Sequence, residues 1–121
     1  AYVNFFSYVC SMINIQIEDF PEYSTDPQRG KFVHTDSSVF DIEFKNDSID
    51  YRIKLLLNIT YERYYEPSDG SSPDEDSTEI LSTDHILIRV CKYLNDVEIE
   101  IVDPKEFRRI DRYVTENLNI Q

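Results

Sequence analysis

With 121 residues, the chain has the length of a single domain, long enough to bury roughly two-thirds of its unfolded surface around a core of its own. Seven Phe and nine Tyr supply large apolar area within a hydrophobic content of 40%. Its 24 Asp and Glu against 12 Lys and Arg leave a formal net charge of -12, a field that repels nucleic acid and anionic membrane and attracts a basic protein surface.

Residues 1–12 carry no charged side chain and are dense in aromatics, and the only methionine, Met12, stands directly before an alternating strand from Ile13 to Ile17. Residues 1–11 therefore read either as an extra N-terminal segment or as an apolar strip packed on the core. From Asp19 to Ser38, Pro21, Asp26, Pro27, Gly30 and Asp36 give turn and loop composition, interrupted by a short strand at Lys31 to His34. Phe40, Ile42 and Phe44 then alternate with Asp41 and Glu43, and Lys45-Asn46-Asp47-Ser48 supplies a turn. The strongest strand signal follows: Tyr51, Ile53, Leu55, Leu57, Ile59 and Tyr61 recur at a period of two. These two strands are expected to pair as a hairpin with its apolar side on the core.

Residues 66–79 hold six acids, no base and no apolar residue, which predicts an exposed, mobile acidic loop. A second hairpin follows it, with Ile86, Ile88 and Val90 alternating, Leu94-Asn95-Asp96 as the turn, and Val97, Ile99 and Ile101 on the return. The chain closes with a helix signal: Asp103 suits the N-cap, Pro104 the first helical position and Glu106 the capping-box site. Phe107, Ile110, Val114 and Leu118 form its apolar stripe, leaving Lys105, Arg108, Arg109 and Arg112 toward solvent. The expected fold is α+β, a small antiparallel β-sheet of about four to six strands packed by a C-terminal amphipathic helix, in one domain over 1–121.

The residue inventory excludes most site chemistry. Gly30 and Gly70 are the only glycines, too few for a phosphate-cradling loop. Cys10 and Cys91 are too few for a zinc site or disulfide framework and read as buried thiols in a reducing compartment. No run approaches the roughly 20 apolar residues of a membrane span, and the N-terminus lacks a basic leader, so a cytoplasmic location is expected. His34 and His85 are the only imidazoles, and both read as surface histidines; a small hydrolase using one of them is the third functional reading. The acidic loop offers carboxylates for calcium, but Gly70 follows one Asp directly and Pro73 interrupts the run, unlike an EF-hand. No catalytic, metal or cofactor-binding residue is therefore assigned. Tyr64 and Tyr65, leading into the acids Asp69, Asp74, Glu75 and Asp76, form the candidate partner-binding surface. The four helix bases either pair with Glu106, Asp111 and Glu116, or dock an acidic partner or the acidic loop of a neighbouring copy.

Ile59-Thr60-Tyr61-Glu62-Arg63-Tyr64-Tyr65, a Pro-, Gly-, Ser- and acid-rich loop, an alternating hairpin, and Asp103-Pro104-Lys105-Glu106-Phe107 opening a terminal helix follow one another in order. That layout resembles small accessory proteins of tailed bacteriophages, particularly phages of gut Bacteroidetes. The resemblance spans roughly residues 49–121 and carries no invariant motif. It implies a non-enzymatic role in a virion or in host takeover, with the protein in the virion or the host cytoplasm.

Two functions are expected. The first is a non-enzymatic protein-protein interaction protein of phage accessory or structural type. The alternative is an acidic inhibitor, of anti-defence or immunity type, that blocks a basic groove on a nuclease or defence protein. Both need a protein partner, no cofactor, no nucleic acid and no membrane, and both are compatible with a homo-oligomer.

Overall fold

The computed structural model describes residues 12–23 and 25–121. The expectations for residues 1–11, and for Cys10 as a buried thiol, lie outside these residues. The fold is α+β. Among the described residues its elements are the strands β1 (Ile13–Ile15), β2 (Gly30–Asn46), β3 (Ile49–Glu66), β4 (Glu75–Leu94), β5 (Val97–Glu100) and β6 (Leu118–Ile120), the helix α1 (Pro104–Asn117) and a 3-10 turn at Ile17–Asp19. A four-stranded antiparallel sheet runs in the order β2-β3-β4-β5, and β1 and β6 make a separate parallel pair.

Both hairpin turns fall where composition placed them. Asp47 and Ser48 have φ of 51° and 65°, and Asn95 and Asp96 have φ of 51° and 64°. Two successive left-handed residues make a two-residue turn whose twist matches that of the flanking strands. Asn and Asp tolerate this conformation through local hydrogen bonding, whereas Ser48 is the residue least suited to it.

The strands are longer than the sequence suggests. Residues 30–46 form one continuous strand of 17 residues instead of a short strand, a loop and a second strand. The polar run Thr35-Asp36-Ser37-Ser38 has loop composition, but the side chains of Thr35, Asp36 and Ser37 find partners across or above the sheet. The Asp36 carboxylate is buried and accepts the Glu22 N–H at 2.8 Å. Thr35 pairs with Thr60, and the Ser37 hydroxyl donates to Asn58. Such cross-strand pairs keep a polar strand in the ladder despite its composition.

The chain divides into two compact units, and the three long strands contribute to both. The first unit comprises described residues 12–17 with Val39–Leu56 and Ile86–Gln121. Its core joins Tyr51, Ile53 and Leu55 of β3 to Ile110 and Val114 of α1, all at most 1% exposed. Arg109 fixes the helix by donating to the Tyr51 hydroxyl at 2.9 Å, and Tyr113 stacks on Phe44, which stacks in turn on Tyr51. Asp103 caps α1 by accepting the Lys105 N–H at 3.1 Å, and Pro104 follows it. Glu106, at the capping-box position, accepts from the Lys92 ammonium at 2.8 Å. Leu118 is the C-cap and opens β6 instead of extending the apolar stripe, so the fully buried part of that stripe is Ile110 and Val114. The β1–β6 pair, Ile13 opposite Leu118 through Ile15 opposite Ile120, is closed by Ile17 N–H to the Gln121 carbonyl at 2.7 Å.

The second unit comprises Glu18–Ser38 and Leu57–His85. Phe20, Leu57, Ile59 and Tyr61 are buried in it. The Tyr61 ring meets Tyr23 edge-on at 5.6 Å and His34 face-on at 5.2 Å. Burial pushes the Tyr61 hydroxyl above its ordinary pKa.

Candidate protein-interaction site

In the second unit, the structure separates the sequence-predicted site residues. Tyr64 and Tyr65 are half-buried near the end of β3, Asp69 and Asp74 lie in the connection 67–74, and Glu75 and Asp76 open β4. The segment without regular structure is thus shorter than the expected 66–79. Its flanks are held: Glu66 pairs with Arg29 at 2.6 Å, and Thr78 hydrogen-bonds Tyr23 at 3.1 Å. Within the connection, Asp69 accepts from the Ser71 N–H and hydroxyl, which lowers its carboxyl pKa, and Asp74 accepts the Ser68 N–H. Tyr65 is brought to Asp74, and its hydroxyl pKa is raised first by desolvation and then by that carboxylate.

Asp76 has a different role from its neighbours. Arg63 donates to both of its oxygens, at 3.0 and 2.8 Å, places its guanidinium 4.1 Å from the Tyr23 ring centre and donates to the Tyr23 carbonyl at 3.0 Å. The Arg63 side chain is only 11% exposed. The hydrogen bonds that Arg63 donates to the Asp76 carboxylate lower the Asp76 pKa and raise that of Arg63. Asp76 therefore anchors the start of β4, while Asp69, Asp74 and Glu75 keep their carboxylates toward solvent. Arg63 stands inside the tyrosine run Tyr61 to Tyr65, and the signal that could have found this clamp is a lone base opposite a run of acids.

The first unit carries a surface that the sequence placed inward. Ile86 is 54% exposed and Ile88 49%, and at the other end of the hairpin Leu94, Val97 and Ile99 are 40%, 58% and 39% exposed. Lys92 opposes Ile99 and Leu94 opposes Val97 across β4–β5, so these side chains share the face from which Lys92 reaches Glu106 of α1. Geometry explains the exposure. A 14-residue helix is about 21 Å long and about 10 Å wide, which covers about two strands at their usual spacing. Arg109 and Tyr113 tie α1 to Tyr51 of β3 and Phe44 of β2, and among the described residues no second helix lies over the outer positions of β4 and β5. Two amphipathic hairpins with one helix signal were the available clue.

The sequence's basic stripe is also in this unit. Lys105, Arg108, Arg109 and Arg112 line a shallow cavity of about 260 Å³. Arg109 is engaged by Tyr51 and lies 3.9 Å from Asp47.

His34 is a stacking partner of Tyr61, and the His85 N–H donates to the Asp84 carboxylate at 3.0 Å. Among the described residues no group of three His, Cys, Asp or Glu side chains is placed to hold a metal ion, and no helix is long and apolar enough to cross a membrane. Cys91 is a buried free thiol whose pKa is raised by burial. Comparison with protein families, with curated proteins and with solved structures gives no significant match. The phage-accessory resemblance rests on sequence layout alone.

Proposed function

We propose that this chain is a non-enzymatic protein-interaction module, of the kind implied by the resemblance to phage accessory proteins. The observation that supports it is the set of three aliphatic side chains, Leu94, Val97 and Ile99, left 39–58% exposed on one face of the β4–β5 hairpin, with Ile86 and Ile88 also exposed farther back along β4. Each large aliphatic withdrawn from water contributes about 1.5–3 kcal/mol, so a partner covering this face gains substantial free energy. The charge around it, Glu98 and Glu100 on the same strand, keeps the free protein from nonspecific association.

The test is affinity capture from the native cell with wild type and an Ile88→Glu, Ile99→Glu variant whose fold is checked by circular dichroism. A stoichiometric protein retained by wild type and lost by the folded variant supports the module. Retention of the same proteins by both sinks it. A second reading, the acidic inhibitor of a basic groove, draws on the exposed carboxylates of Asp69, Asp74 and Glu75 around one turn. It requires capture to weaken steeply with added salt.

A further inference from the structure

The helix bases are arranged against the usual preferences of a helix. In α1 they occupy Lys105, Arg108, Arg109 and Arg112, and none stands in the last turn. The first turn of a helix carries the positive end of the macrodipole, so a cation at Lys105 is disfavoured. Lys105 with Arg109, and Arg108 with Arg112, are also like-charge pairs four residues apart, which repel. In a chain with twice as many acids as bases, the ordinary remedy is an ion pair, and Arg29, Lys31, Lys45, Arg63, Arg89 and Lys92 each have one. Lys105, Arg108 and Arg112 do not: among the described residues their side chains have neither an ion pair nor a hydrogen bond. Three exposed, unpaired bases side by side, lining a concave surface, form a site for carboxylates.

The same chain carries the complementary surface. The 67–74 connection and the residue after it present Asp69, Asp74 and Glu75 exposed, with no base among residues 67–79. Hydrogen bonds from Ser71 and Ser68 fix the two aspartates, which lowers the ordering cost of docking. We propose that Lys105, Arg108 and Arg112 of one copy bind the Asp69–Glu75 segment of a second copy. The contact joins two different surfaces, so it yields either a reciprocal dimer or a head-to-tail chain. It uses none of the exposed aliphatics above and stands independently of the proposed function. Two copies of net charge -12 repel at long range, so association is strongest at intermediate ionic strength, near about 0.15 M, where screening removes the long-range field but leaves direct contacts.

The test is sedimentation velocity of the full chain over a concentration series at about 0.02, 0.15 and 1 M salt, with two charge-reversed variants. Wild type is expected to self-associate most at the middle salt. Arg108→Glu with Arg112→Glu, and separately Asp69→Lys with Glu75→Lys, are each expected to raise the dissociation constant about tenfold or more. The decisive arm mixes the two variants: loop and helix charges then complement each other, and a 1:1 hetero-complex forms from two chains that are monomeric alone. Circular dichroism verifies that both remain folded. A wild type that stays monomeric to about 1 mM overturns the proposal, as does an oligomer indifferent to both reversals. Failure of the mixture to associate also overturns it. A shift of the helix resonances by inorganic phosphate without self-association would identify a small-anion site and refute the second copy.

Discussion

Replacing Arg63 by Met tests whether β4 is anchored at its start by the Arg63–Asp76–Tyr23 clamp. The substitution removes two charge-assisted hydrogen bonds to Asp76, worth about 1.5–3 kcal/mol, and a cation–π contact worth about 0.5–1 kcal/mol. The Asp76 side chain is 37% exposed and rehydrates once released, so the lower part of the range applies, and a loss of about 2–3 kcal/mol is expected. Against a total stability of about 5–15 kcal/mol, that lowers the urea midpoint by about 1 M. The pH dependence gives a second readout. The Asp76 pKa is depressed in the folded state, so its stabilisation is fully present above the unfolded carboxyl value of about 3.9 and disappears as pH falls through the lower folded value. The gap between wild-type and Arg63→Met midpoints should therefore be constant from about pH 7 to 5 and shrink below about pH 4 to the part contributed by the Tyr23 ring and carbonyl, which do not titrate there. A gap under about 0.5 kcal/mol at neutral pH, or one that does not shrink in acid, would refute the clamp.

Ile110→Ala should cost about 2–5 kcal/mol in denaturant melts, and Phe107→Ala, at a half-buried position, about half of the 3–5 kcal/mol of a fully buried Phe. The reverse ranking would mean that α1 packs on a different face. Ser48→Gly should raise thermal stability by about 0.5 kcal/mol or more, because Gly adopts φ of 65° without a Cβ penalty; Ser48→Val should lower it. Replacing residues 67–74 by a Gly-Ser segment of equal length should change stability by less than about 1 kcal/mol, whereas replacing 66–79 also removes Arg29–Glu66, Arg63–Asp76 and Tyr23–Thr78 and should cost several. Equal outcomes for the two replacements, in urea melts, would show that the flanks carry no load.

The fold was legible where a short window of sequence decides the conformation. Asp47-Ser48 and Asn95-Asp96 are two-residue turns with local chemistry, the run Tyr51 to Tyr61 alternates by itself, and Asp103-Pro104 starts a helix without outside help. What was not legible depends on partners far along the chain. The alternation from Ile13 announces β1, but its pairing with β6 spans more than a hundred residues and leaves no mark in the sequence. The Thr35 to Ser38 stretch is strand because Glu22, Asn58 and Thr60 satisfy it, and the flanks of the acidic segment are ordered because Arg29, Arg63 and Tyr23 meet them.

The same distinction explains the sites. Periodicity shows which residues share a face, but whether that face is covered depends on counting what is available to cover it. A helix about 21 Å long covers about two strands, and α1, tied to Tyr51 and Phe44, leaves apolar positions of β4 and β5 open. Ile86, Ile88, Val97 and Ile99 therefore look like core in the sequence and like surface in the fold. Charge follows the opposite course. Pairing Lys105, Arg108 and Arg112 with Glu106, Asp111 and Glu116 was the plain expectation, yet Glu106 turns to Lys92 and among the described residues the three bases have no ion pair. A base that stays unpaired although acids stand near it on the helix is invisible to spacing rules, and it is the feature on which the loop-and-helix contact between copies depends.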